Sequence, residues 1–125
     1  MHVLQQGRSE YTLIYPPSEK TRGKTVIERK IMGNRPGELR QLYVEGGVWK
    51  KSRLLPEDLE RVKSTEVPSS HIGCLITEVV TPGFAWQDHT WLDGATLQSL
   101  LHNVGMQVSA EMREEFETHV RPSPV

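Results

Sequence analysis

The sequence predicts a mainly β domain of about six short strands, followed by two helices. Up to Val80, short β-rich segments alternate with turns that contain glycine or proline. After Asp93, the apolar residues instead recur at helical spacing, behind residues that cap helices well. The 125 residues suit a single domain. This order of elements favours an antiparallel β-sandwich or barrel with a helical appendage.

Composition narrows the class of protein. The 15 basic and 16 acidic residues nearly balance, which argues against a nucleic-acid partner and against a membrane-surface partner. No apolar stretch approaches the roughly 18 residues of a membrane span, and the first residues do not resemble a signal peptide. A lone cysteine, Cys74, suits a reducing compartment. We therefore expect a cytoplasmic protein.

The first three strands are predicted at residues 2–5, 11–15 and 25–31. Gly7 and the pair Pro16-Pro17 end the first two strands. The third strand alternates imperfectly between apolar and charged residues, which indicates the edge of a sheet.

Two further strands are predicted at residues 39–44 and 48–55. The pair Gly46-Gly47 lies between them, and this pattern predicts a hairpin. The charged segment 55–70 then predicts a surface excursion that could contain one helical turn at residues 56–63. Pro56 at its start and the acidic residues behind it suit a helix N-terminus.

Residues 72–80 form the most apolar stretch, and we interpret them as the last core strand. The Pro82-Gly83 turn follows, and then a cluster of ring-bearing residues: Phe84, Trp86, His89 and Trp91. Such a cluster could be a ligand lid, but it is more typical of a plug that packs over a sheet.

Two helices are predicted in the last third of the chain. Asp93 can cap a helix that runs to about Asn103, and Ser109 can cap a second one from Ala110 to about Val120. The first helix presents Leu97, Leu100 and Leu101 on one face, and the second presents Met112, Phe116 and Val120. The expected division is a β-domain at residues 1–92 and a helical appendage with a tail at 93–125.

Three segments of the β-region also resemble a known family. The segments 36–50 (PGELRQLYVEGGVWK), 76–92 (ITEVVTPGFAWQDHTWL) and 2–14 resemble an uncharacterised cupin family related to the sugar-epimerase-like (RmlC-like) cupins. The residues that carry the resemblance are Gly37, Glu38, Gln41, Val44, Gly47 and Trp49, then Val80, Pro82, Gly83, Phe84, Trp86 and Asp88, and at the start His2, Gly7, Tyr11, Leu13 and Ile14.

The resemblance implies a cupin-type double-stranded β-helix (jelly roll) with any ligand site inside the barrel. A typical member of this family has a further stretch before His2, which supplies the first strands and most of the first cupin motif. The resemblance therefore implies an incomplete barrel. Exposed strand edges would then invite pairing with a second copy of the chain, as in a homodimer.

The candidate ligand-binding residues are the polar and aromatic residues of the predicted strands: His2, Gln41, Tyr43, Trp49, Lys51 and Glu78. Trp49 could stack on a sugar or base ring, and Lys51 could meet an anionic group. Glu78 lies among apolar neighbours, so we expect a raised pKa and a catalytic acid–base role for it. The alternatives remain open: an exposed strand face for Gln41, Tyr43 and Lys51, core packing for Trp49, and a solvated or ion-paired acid for Glu78.

A metal site needs about three or four converging His, Asp or Glu ligands. The sequence contains no His-x-His pair, and only His2 and Glu78 lie in predicted barrel strands. We therefore predict no metal and no cofactor.

Two functions remain in view. The first is a cupin-like module that binds a small polar metabolite of the sugar or nucleotide-sugar class, with epimerase-like or isomerase-like proton transfer if it is an enzyme. The alternative is a truncated, non-catalytic cupin that acts as a self-associating or protein-interaction module.

Overall fold

The structure, a computed structural model, describes residues 1–64, 72–105 and 107–121. Strands and helices follow one another along the chain as β1 (His2–Gln6), β2 (Ser9–Tyr15), β3 (Val26–Met32), β4 (Gln41–Leu42), β5 (Trp49–Arg53), α1 (Pro56–Lys63), β6 (Leu75–Glu78), α2 (Gly94–His102) and α3 (Ala110–His119), with a 3-10 turn at Trp86–Asp88 between β6 and α2. The described part of the chain is therefore mainly β up to β6 and helical after it, as the sequence predicts.

The strands form two three-stranded sheets, ordered β4-β1-β6 and β3-β2-β5. In the first sheet, β1 pairs antiparallel with both neighbours. The ladder between β1 and β6 shifts register between Leu4 and Gln6, which marks a bulge. The central position of β2 in the second sheet explains why Tyr11, Leu13 and their neighbours are buried on both faces.

Only glycine fits at position 7, in the turn between β1 and β2. Its φ is +82°, a left-handed backbone conformation that residues with a Cβ rarely adopt. A Cβ at this position would also lie 1.9 Å from the carbonyl oxygen of Gly73. The β1–β2 turn therefore approaches the segment that leads into β6 more closely than any other residue type would permit.

The chain divides into two compact units. The first contains residues 1–13, 28–46 and 50–83, and the second contains residues 14–27, 47–49 and 84–125. The second unit has a buried apolar cluster formed by Ile14, Leu97, Leu100, Leu101 and Phe116. The predicted apolar faces of both C-terminal helices supply most of this cluster.

Both helix N-termini are capped as predicted. The Asp93 carboxylate accepts a hydrogen bond from the backbone N–H of Thr96 at 2.8 Å, and the Ser109 hydroxyl accepts one from the N–H of Met112 at 3.1 Å. Among the described residues, no helix is both long enough and apolar enough to span a bilayer.

Strand pairing departs from the prediction in two places. The predicted hairpin between residues 39–44 and 48–55 is wrong, because β4 pairs with β1 whereas β5 pairs with β2 in the other sheet. The segment 72–80 does contain a strand, but β6 lies at a sheet edge and Leu75 is 60% exposed. Apolar composition alone did not distinguish a core strand from an edge strand. The prediction of β3 as an edge strand is confirmed.

Two predictions lie partly outside the described residues: the end of the surface excursion at 55–70 and the tail after Arg121. The division into residues 1–92 and 93–125, the jelly-roll topology and the incompleteness of the barrel all stay predictions.

Candidate functional site

His2 is the centre of a polar cluster in the first unit. The register of the first sheet places His2 opposite Leu42 of β4 on one side and opposite Glu78 of β6 on the other. The side chain is buried, at 3% exposure, and its Nδ1 lies 3.2 Å from the Leu42 carbonyl oxygen. Because a carbonyl oxygen only accepts hydrogen bonds, Nδ1 carries the hydrogen of this contact.

The other ring nitrogen faces a lysine from the second sheet. Nε2 of His2 lies 2.6 Å from Nζ of Lys50 in β5. An ammonium group only donates hydrogen bonds, so Nε2 must present its lone pair. The two contacts together define a neutral imidazole with its hydrogen on Nδ1.

Glu78 completes the cluster. Its Oε1 accepts a hydrogen bond from Lys50 Nζ at 2.9 Å, and its Oε2 lies 3.4 Å from His2 Nε2. The Lys50 and Glu78 side chains are 30% and 48% exposed, whereas the imidazole is buried. The cluster therefore has a closed end at His2 and a solvent-exposed end at Lys50 and Glu78.

Tyr11 of β2 packs against His2 from the second sheet. The two rings meet edge to face, with centroids 5.4 Å apart. The Tyr11 hydroxyl forms a hydrogen bond with the side chain of Ser52, which is two residues beyond Lys50 in β5. Burial, and next the nearby Cys74, raise the pKa of Tyr11, so its phenol stays protonated at neutral pH.

The pKa of His2 is lowered from its ordinary value of 6.5. Burial is the main cause, because it disfavours the charged ring, and the positive charge of Lys50 acts in the same direction. The carboxylate of Glu78 opposes both effects but does not outweigh them.

The prediction of a raised pKa for Glu78 is wrong. The hydrogen bond from Lys50 lowers the pKa of this carboxyl group and outweighs the smaller opposing effect of burial. The apolar neighbours of Glu78 in the sequence suggested a dry surrounding, but the side chain is half-exposed and paired.

The structure brings two of the predicted site residues, His2 and Glu78, into contact with each other. Gln41 and Tyr43 lie on the exposed surface, Lys51 is half-buried, and Trp49 packs against the apolar cluster of the second unit. Lys50 and Lys51 are neighbours in β5, so strand alternation sends their side chains to opposite faces.

Sequence reasoning missed Lys50, Tyr11 and Ser52 as members of a site. Alternation along β5 offered one signal, because Lys50 and Ser52 share a face. That signal could not choose between the two faces of β5, since the partners of this strand were not known from the sequence. Tyr11 had been noted only through the family resemblance.

A second charged cluster in the first unit has a structural character. Glu38 is nearly buried, and both of its oxygens accept hydrogen bonds from Arg8, at 2.6 to 3.1 Å. Arg8 also contacts Glu57 at the start of α1. These contacts connect the β1–β2 turn to α1 and to the loop before β4. The hydrogen bonds from Arg8 lower the pKa of Glu38.

The prediction that the aromatic segment after β6 forms a plug is wrong. Phe84, Trp86, His89 and Trp91 contact one another edge to face in succession, with centroids 4.8 to 6.2 Å apart. These rings nevertheless face solvent, and Trp86 is 78% exposed. The lid interpretation stays a prediction.

Metal ligands do not cluster in the described part of the chain. No group of three or more His, Cys, Asp or Glu residues there is arranged to hold a metal ion.

Comparison with known proteins identifies the family of the β-region. The family model described as Cupin superfamily (DUF985) matches residues 1–92. An uncharacterised protein of Saccharomyces cerevisiae, YML079W, is 38% identical over 113 residues, which cover 90% of this chain and 47% of the yeast protein. The chain thus spans about half the length of this relative. The comparison with solved structures gave no significant match.

These matches define the class of protein as a cupin-superfamily domain. The chain belongs to the cupin family DUF985, whose matched region contains every member of the His2 cluster.

The neutral state of His2 makes the stability of the fold depend on pH. Just below pH 6.5, the ordinary pKa of histidine, His2 is protonated in the unfolded chain but stays neutral in the folded chain. The free energy of unfolding should therefore fall as the pH drops below 6.5, by at most about 1.4 kcal/mol per pH unit from this residue. Urea unfolding at about pH 7.5 and about pH 5.5 measures the effect.

The matched variant is His2→Asn, whose amide can still donate to Leu42 but does not titrate. It should show a smaller difference between the two pH values than the parent chain. If the free energy of unfolding changed equally with pH in both proteins, the pKa of His2 would not be lowered by folding.

Proposed function

We propose that the first unit binds a small polar metabolite of the sugar or nucleotide-sugar class at His2, Tyr11, Lys50 and Glu78. One observation supports the proposal most strongly: a buried neutral imidazole, an ammonium group and a carboxylate lie in mutual contact beside partly exposed surface. Binding sites for polar metabolites combine a few placed polar groups of this kind with apolar walls.

The groups at the open end complement the hydroxyl and phosphate groups of such a ligand. Lys50 supplies ammonium donors, which suit a hydroxyl or an anionic oxygen. The Glu78 carboxylate supplies acceptors for hydroxyl hydrogens. A sugar carries donors and acceptors on adjacent carbons and can engage both side chains together.

The acid–base role is assigned to His2 rather than to Glu78. The lowered pKa keeps Nε2 of His2 unprotonated at neutral pH, so this nitrogen can accept a ligand proton through Lys50 Nζ, which lies 2.6 Å away. Glu78 stays ionised and can stabilise the imidazolium ion that then forms, since its Oε2 lies 3.4 Å from Nε2. Proton transfer of the epimerase or isomerase kind is the reaction that this pair supports best.

Calorimetry with a panel of monosaccharides, sugar phosphates and nucleotide sugars tests the binding proposal. Lys50→Met keeps most of the bulk of the side chain but removes the charge. It should weaken binding about 10-fold to 100-fold, the cost of a hydrogen bond to a charged group.

The matched control is Lys51→Met, which makes the same change one residue further along β5. Binding should stay close to that of the parent chain. Equal losses in the two variants, or no binding to any member of the panel, would contradict the proposed site.

The exposed edge of the first sheet favours self-association as a second candidate function. Leu75, Val79 and Val80 in and just after β6 are all exposed. An apolar strand edge is a template for pairing with another chain. We propose a second copy of this chain as the partner of β6.

Light scattering coupled to size-exclusion chromatography should give twice the mass of one chain. The double variant Leu75→Lys, Val79→Lys should be monomeric, because charged edge residues oppose strand pairing. Val62→Lys on α1, also an exposed apolar position, is the control and should stay dimeric. A parent chain that is monomeric at all concentrations would rule out this candidate.

A further inference from the structure

We propose that Lys50 forms an imine with the carbonyl carbon of its ligand, such as the open-chain aldehyde of an aldose. The inference rests on the proposed function and deepens it, because it names the reactive form of the sugar and the atom that captures it. It concerns the amine of Lys50, whereas the proposed proton transfer concerns the imidazole of His2.

The geometry provides what a reactive lysine needs. An ammonium group becomes nucleophilic only after it loses a proton, and an adjacent base can take that proton. The lone pair of His2 Nε2 lies 2.6 Å from Lys50 Nζ, with the opposite nitrogen held by Leu42. The Lys50 side chain is still partly exposed, so a carbonyl compound can reach Nζ.

The reaction balances within the cluster. His2 takes one proton from Lys50, and the free amine adds to the carbonyl carbon to form a carbinolamine after a proton moves from nitrogen to oxygen. The His2 imidazolium then returns its proton to the hydroxyl group, which leaves as water while the C=N bond forms. The products are a protonated imine, neutral His2 and one water molecule.

Glu78 does not oppose the overall reaction. Its carboxylate lies 2.9 Å from Lys50 Nζ and stabilises the ammonium ion before the reaction. The protonated imine carries the same single positive charge on the same nitrogen. The ion pair with Glu78 is therefore available to reactant and product alike.

Lys63 provides a control within the same chain. Its Nζ donates to Glu60 at 3.0 Å, a pairing like that of Lys50 with Glu78. Among the contacts of the described residues, Lys63 has this carboxylate partner but no imidazole. It is also more exposed than Lys50, at 73%, so access alone would favour its modification.

The test is reductive trapping of the whole chain with glyceraldehyde and cyanoborohydride near neutral pH, followed by peptide mass spectrometry. Lys50 should be modified at least roughly tenfold faster than Lys63, a small part of the factor that a positioned base can supply. His2→Asn should bring the two rates together, and Lys50→Arg should abolish the adduct at this position. If Lys50 and Lys63 of the parent chain were modified at equal rates, or Lys63 faster, that result alone would overturn the inference.

Calorimetry of sugar binding to the parent chain, compared with the trapping result, separates this inference from the proposed function. Sugar binding without selective trapping of Lys50 in the parent chain would overturn the imine and leave the binding function standing. Selective trapping without sugar binding would support the imine and contradict the proposed ligand class.

Discussion

The hydrogen bond from the Lys50 ammonium to Nε2 of His2 is the contact on which the polar cluster and the proposed function depend. Because Lys50 can only donate, His2 must present a lone pair, and the Leu42 carbonyl oxygen holds the hydrogen on Nδ1. A buried ring fixed in one tautomer is a base with a defined direction. The same contact places an amine beside that base and next to the carboxylate of Glu78.

This contact depends on strand register. His2 lies opposite both Leu42 and Glu78 only because β1 is the central strand of its sheet. A slip of one residue in β1 would turn the imidazole to the other face. Gly7 protects this arrangement, since no side chain fits between its backbone and the Gly73 carbonyl oxygen. The site is thus built by backbone pairing in one sheet and completed by Tyr11 and Lys50 from the other.

Local signals in the sequence predicted the elements well, and the resemblance in residues 1–92 is confirmed at the level of the cupin superfamily. Asp93 and Ser109 cap their helices because capping depends on residues three positions apart. Strand partners depend on distant residues, so the pairing of β4 with β1 was not predictable from local pattern. The same limit explains why Lys50 was not predicted as a member of the site. The face of β5 that carries its side chain is set by the strands that pair with β5, and no local pattern reveals those strands. His2 and Glu78 were found, but the pKa of Glu78 depends on that unpredicted lysine.

The tautomer of His2 tests this account most directly. Nitrogen-15 NMR of the imidazole, read through its two-bond couplings to the ring hydrogens, distinguishes the two neutral tautomers from the imidazolium ion. The account predicts a neutral ring at pH 7 with its hydrogen on Nδ1, and a signal from Nε2 that changes in Lys50→Met. A ring protonated on Nε2, or charged at pH 7, would contradict it.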